Sequence, residues 1–138
     1  MTGNPISKTV PQWVLADTCI WIQAEADKPT AACLSELAAA DRLAICGLIY
    51  AEILRGLRDE AVLAHRCRQL LSLRWLPVTE QVWEQTARLA RQLDGAGTPV
   101  PLTDAHIAVL CQAARAAVWT TDKHFDRIPG LTRYPGPH

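Results

Sequence analysis

Four short, mostly apolar runs punctuate this chain: Trp13-Val14-Leu15-Ala16, Leu43-Ala44-Ile45-Cys46, Trp75-Leu76-Pro77-Val78 and Ala117-Val118-Trp119-Thr120-Thr121. None alternates apolar with polar residues, as a strand with one wet face would. Continuous apolar strands belong to sheets covered on both faces, and such sheets are mainly parallel. The intervening segments read as helices, which parallel strands need as crossovers. An Ala- and Leu-rich stretch from about Ala31 to Ala40 predicts one helix, ended by Asp41 and Arg42. Leu48 to Leu57 and about Glu60 to Ser72 predict two more. Thr79 is placed to cap a helix running to about Asp94, and Thr103 to cap one from Asp104 to about Arg115. Gly95 to Pro101 is a loop, and the Pro- and Gly-bearing end from Pro129 to His138 predicts irregular structure with a short edge strand at Leu131-Thr132-Arg133. The expected class is α/β.

With 138 residues, 49% of them hydrophobic, the chain fits one packed domain, expected over residues 13–138 behind a flexible tail over residues 1–12. The five cysteines are scattered, odd in number and without a C-x-x-C pair, so they predict buried thiols rather than a zinc site or a disulfide framework. The polar stretch Met1 to Gln12 lacks the apolar core of a signal peptide, and no run is long enough to cross a membrane. The expectation is a cytoplasmic protein. Formal net charge is zero, so any nucleic-acid contact must come from a local patch, for which Arg55, Arg58, Arg66, Arg68 and Arg74 are the candidates.

Four acids stand at the boundaries of these elements. Asp17 and Asp122 directly follow strand-like runs, Asp104 opens a helix, and Glu52 lies within one. Taken singly, Asp17 and Asp122 suit turns or helix N-caps, and Asp104 suits a helix dipole. Glu52 is less ordinary, because it projects inside the apolar arc of Leu48, Ile49, Ile53 and Leu57. A carboxylate there needs a partner, and either Arg55 or Arg58 or a metal would serve. In an α/β sheet, ligand sites form beyond the carboxyl ends of the strands. Carboxylates gathered there repel unless a cation joins them, and Mg²⁺ or Mn²⁺ takes an all-oxygen set.

The motifs carrying these acids resemble, in order, those of the PIN-domain ribonucleases, and among them the VapC-type toxins of toxin–antitoxin pairs. Asp17-Thr18-Cys19-Ile20-Trp21-Ile22 is similar to the opening Asp followed by Ser or Thr. Ala51-Glu52-Ile53-Leu54-Arg55-Gly56 is similar to A-E-x-x-x-G, Thr103-Asp104-Ala105-His106-Ile107-Ala108 to D-A-x-I-A, and Thr120-Thr121-Asp122-Lys123-His124-Phe125 to T-x-D-x-x-F. Cys19 departs from the pattern, standing where small polar residues or Asn are common. The resemblance implies a three-layer α/β/α fold with a central, mainly parallel sheet. It also implies a Mg²⁺-dependent activity, with Mn²⁺ as the other candidate, against single-stranded RNA. An antitoxin partner that blocks the site and a homodimer of this chain follow as further expectations.

Within that frame, Asp17, Asp104 and Asp122 are the expected metal ligands, with Glu52 binding metal or orienting a water. Thr18 and Thr121 are expected to touch the substrate phosphate or fix a carboxylate. Asp126 is read as solvated. Cleavage by histidines without a metal is set aside, because His106 falls about 200° around its helix from Asp104 and the four histidines have no paired spacing. Two competitors remain. A catalytically silent PIN-like module for RNA or protein has no need of four repelling carboxylates. A phosphatase with an aspartyl nucleophile would place a second Asp two residues after Asp17, where Cys19 stands.

Overall fold

The computed structural model describes residues 13–137. Its sheet has four strands: β1 (Val14–Ala16), β2 (Leu43–Ile45), β3 (Arg74–Trp75) and β4 (Ala117–Trp119). They run in the order β3-β2-β1-β4, and every pairing is parallel. The chain first builds outward from β1 through β2 to β3, then returns to add β4 on the opposite side of β1. The direction of winding therefore reverses between β1 and β4, the point at which open α/β sheets bind ligands beyond the strand ends.

The register divides the core into two. Leu15 pairs with Val118, and both point into one layer with Ile45, Ile49, Ile107 and Leu110. Ala16 pairs with Trp119, and both point the other way, among Ile20, Cys33, Leu34 and Leu37. Successive strand residues face opposite sides, so two apolar layers follow directly from the unbroken strands. Helices α1 (Thr18–Gln23) and α2 (Lys28–Ala39) supply the second layer. The first is supplied by α3 (Gly47–Arg55), α4 (Glu60–Leu71), α5 (Glu80–Gly95) and α6 (Leu102–Ala114). Residues Ala105 to Cys111 of α6 are all buried, which explains its apolar composition on every side. The expected three-layer α/β/α arrangement is the one observed.

Several boundaries differ from expectation, each for a local reason. Helix α2 begins at Lys28, earlier than Ala31, because the Asp27 side chain caps it at Thr30 and Pro29 sits in its first turn. A short helix, α1, follows Asp17 where the pattern predicts none, because the Asp17 side chain caps it. The third strand is only Arg74–Trp75, displaced and shortened from the expected Trp75 to Val78, and Pro77 cannot donate to a ladder. Thr103 is not the cap of α6. That helix starts at Leu102 behind Pro101, with Asp104 in its first turn. Thr79 does cap α5, accepting from the Val82 N–H at 3.3 Å.

The edge strand foreseen at 131–133 is a single parallel bridge between Arg133 and Val118. Tyr134 then packs on Trp119, with ring centroids 5.3 Å apart. Residues 1–12, expected to form a flexible tail, lie outside the described residues. All five cysteines are free thiols, three of them buried. Among the described residues no helix is long and apolar enough to cross a membrane.

Candidate functional site

The carboxyl ends of β1 and β4 carry residues that cap helical turns. Asp17, the first residue after β1, is the N-cap of α1, and its Oδ1 accepts from the Thr18 N–H at 2.8 Å. Asp122, just after β4, caps a 3₁₀ turn over Lys123–Arg127, and its Oδ1 accepts from the His124 N–H at 2.9 Å. Both acids thus have the ordinary capping role that the sequence allowed. Both also stand at the carboxyl ends of adjacent strands.

Thr120 ties them together. Its hydroxyl donates to Asp17 Oδ2 at 2.9 Å and accepts from the Asp122 N–H at 3.0 Å. The Cys19 thiol completes this knot, 3.6 Å from Asp17 Oδ2 and 3.5 Å from Thr120 Oγ1. Thr121, one of the two expected substrate contacts, is exposed, and its hydroxyl donates to Cys19 Sγ at 3.6 Å. Thr18, the other, donates to Glu52 Oε1 at 2.6 Å. Glu52 is therefore held by the residue next to Asp17, with neither Arg55 nor Arg58 as its partner among the described residues.

Asp104 enters from the first turn of α6 and is 8% exposed. Burial pushes its carboxyl up to about 6, and the negative charges of Asp122 and Asp17 push the same way. His124 opposes both effects. Burial and neighbouring anions both disfavour the bare charge of Asp104, so a positive charge there, a proton or a cation, is favoured.

The His124 Nδ1 lies 3.1 Å from Asp104 Oδ2 and 3.1 Å from Asp122 Oδ1. These three residues offer ligand atoms that all fall within 4.8 Å of one another. The sequence pointed to His124 only as one of the histidines set aside for metal-free cleavage, and gave Thr120 no role of its own. The available signal was local. An Asp that caps a turn accepts from the N–H two residues on, which brings position 124 beside position 122. Phe125, 1% exposed in the core, then anchors that turn.

His106 behaves as expected and faces away. Its ring stacks on Trp83 at 4.2 Å with 8° between planes, and its Nδ1 is 3.5 Å from Thr86 Oγ1. Burial holds its pKa below the usual value. Asp126 points outward and pairs with Arg133 at 2.9 Å. Of the basic candidates, Arg74 pairs with Asp41 and lies over Trp13, remote from the acids in the chain's architecture. Arg66 lies 5.9 Å over Trp21 and lines a groove of ≈ 260 Å³. Trp21, Ile53 and Leu57 form apolar parts of its wall, and it reaches Thr18 and Glu52.

Residues 14–131 match the sequence profile of the PIN domain. No curated protein sequence matches the chain. VapBC2 from Rickettsia felis, solved bound to a DNA fragment from its promoter, superposes with a TM-score of 0.73 at 21% identity, covering 88% of this chain and 96% of that one. DNA-bound VapBC from Salmonella typhimurium gives 0.73 at 24% identity, with 88% and 96% covered. VapBC-1 from nontypeable Haemophilus influenzae gives 0.70 at 25% identity, again with 88% and 96% covered. The likeness extends over nearly the whole of each solved chain.

Proposed function

This chain belongs to the PIN-domain family, and from that premise we propose that it is a metal-dependent endoribonuclease, the toxin of a toxin–antitoxin pair. The observation that carries the proposal is the meeting of Asp17, Asp104 and Asp122 at the carboxyl ends of β1 and β4, with the Asp104 carboxyl raised to about 6 by burial and by the other two. A hard divalent cation fits that donor set, and we assign it as Mg²⁺ or Mn²⁺ held by the three aspartates, with Glu52 at the rim. When bound, such an ion acidifies a water and offsets charge on a phosphoryl oxygen.

The chain's own groups do the rest. Thr120 holds the Asp17 carboxylate in place through its hydroxyl. Thr18 orients Glu52, which is placed to hold or receive the proton of an attacking water. Thr121, exposed beside Cys19, offers a hydroxyl to a substrate phosphate once it leaves the thiol. The unit over residues 13–138 acts as one domain in this reading. The single-stranded RNA backbone would approach along the exposed rim, where Arg55 and Arg58 follow Glu52 in sequence.

The partner reading rests on the solved relatives, which are VapBC complexes, and on the groove that leads to Glu52. Its wall, with Trp21, Ile53 and Leu57, suits an apolar segment of a small antitoxin. An Arg or Lys on that segment would reach carboxylates at the groove's end. The toxin is expected to act as a homodimer in the cytoplasm.

The alternative is a silent PIN-like module. The cost of keeping Asp104 buried beside two other carboxylates disfavours it, since replacing any one of them would relieve the repulsion. Incubation of the purified chain with single-stranded RNA decides the matter. Cleavage should require Mg²⁺ or Mn²⁺, stop on chelation, and disappear in Asp104→Asn. A folded wild-type chain that leaves every RNA intact at millimolar metal would favour the silent module.

A further inference from the structure

His124 has no place in the reading above, yet its ring lies among the acids. Two features make this position specific. The side chain is 43% exposed, so the ring is not filling the core. Its backbone is nonetheless fixed, because the N–H donates to Asp122 and the neighbouring Phe125 is buried. The Nδ1 is 3.1 Å from one oxygen of Asp104 and 3.1 Å from one oxygen of Asp122. Adjacent donors around an octahedral ion with bonds near 2.1 Å lie about 3.0 Å apart. The imidazole nitrogen thus lies at a distance from each oxygen that suits a shared ion as well as a hydrogen bond.

We propose that His124 Nδ1 is a nitrogen ligand of the divalent-metal centre, beside Asp104 and Asp122, and that it tilts the centre toward Mn²⁺ over Mg²⁺. The proposal rests on the metal-dependent reading above. Mg²⁺ demands oxygen donors and sheds its waters reluctantly, whereas imidazole is a good ligand for first-row transition ions. The competing account is an ordinary ion pair, in which the ring bridges two carboxylates and leaves when metal arrives. The two accounts differ in what the metal touches.

Pulsed electron paramagnetic resonance of Mn²⁺ bound to the full chain separates them. A ring-nitrogen coupling is expected in the wild type. It should change to the ¹⁵N pattern when histidine is labelled, vanish in His124→Asn, and persist in His65→Asn, which alters an exposed residue of α4. Mn²⁺ affinity should fall by about tenfold in His124→Asn, with Mg²⁺ affinity falling less. His124→Asp puts oxygen in the same place, and should bind Mg²⁺ well without the nitrogen signal. If Mn²⁺ binds, and Asp104→Asn abolishes binding, but no imidazole coupling is seen, His124 is only an ion-pair partner and the nuclease reading stands. If the wild type binds no Mn²⁺ at all, both readings fall together.

Discussion

The hydroxyl of Thr120 donates to Asp17 Oδ2 at 2.9 Å, joining positions 103 apart in the chain. This one bond clasps the ends of β1 and β4 at the point where the sheet's winding reverses. The Thr120 hydroxyl oxygen also accepts from the Asp122 N–H. A single side chain thus sets the spacing of two candidate ligands, and it is itself 8% exposed.

Replacing that hydroxyl by a methyl should be felt in both stability and binding. Thr120→Val keeps the shape but leaves the Asp122 N–H without its partner and the Asp17 oxygen with only the Cys19 thiol, at 3.6 Å. The expected loss is about 1–3 kcal/mol in denaturant unfolding. Metal affinity should drop by about 10- to 100-fold, as for other groups that orient a ligand. Thr120→Ser should recover most of both. Equal metal affinity in the valine variant would show that Thr120 is structural only.

The raised Asp104 carboxyl makes a signed prediction about pH. Its value is about 6 in the folded chain against 3.8 for the free group. Between those values the folded state holds a proton that the unfolded state has lost. Metal-free stability should therefore fall as pH rises through that window and level off above about 6. The contribution of this group is on the order of 2–3 kcal/mol. Asp104→Asn should remove it, making the metal-free variant more stable than wild type at neutral pH. Urea midpoints in chelator at about pH 4.5 and about pH 7.5 give the comparison. A parallel pH response in the two proteins would contradict the assignment.

Divalent metal should relieve the same repulsion. Mn²⁺ or Mg²⁺ at a hundredfold excess over its dissociation constant should stabilise the folded chain by about 2.7 kcal/mol. For a domain of this size that is a rise in melting temperature of several degrees, on the order of 2–8 °C per kcal/mol. Asp17→Asn should respond less. Thermal scans with and without chelator measure it, and a wild-type midpoint indifferent to metal speaks against the centre.

Hydrolysis by a metal-activated water and attack by the ribose 2′-OH leave different ends. The products are expected to carry a 5′-phosphate and a 3′-OH. His106→Ala should cut RNA in the same way, because that ring faces Trp83 and Thr86. It should lose on the order of 1–3 kcal/mol of stability through the missing stack and the space left behind. Cyclic phosphate ends that form in excess EDTA would return the chemistry to histidines.

The unbroken apolar runs determined β1, β2 and β4, but not β3, which keeps only Trp75 of its expected run and begins at Arg74. Val14 to Ala16 and Ala117 to Trp119 have no polar face to turn outward, so they had to be interior and parallel, and the helices between them had to cover both sides. The acids were legible in different degrees. Glu52 interrupts an apolar arc, a costly placement without a partner, whereas Asp17 and Asp122 stand at strand ends where an Asp is an ordinary cap, and stood out only as members of the ordered set. Boundaries were less legible, because Pro101 and Asp27 outcompeted the caps and starts that pattern alone suggested.

Only the tertiary structure decided which side chains meet. Thr120 and Asp17 are neighbours because β4 inserts beside β1, a consequence of sheet order that no local pattern encodes. His124 reaches Asp104 because Phe125 is drawn into the core, turning the 3₁₀ segment so that position 124 faces the first turn of α6. Spacing along a helix or strand is set by backbone geometry and can be counted in a sequence. Distances between elements are set by how the apolar layers pack, and the polar groups carried on those elements arrive where the packing puts them.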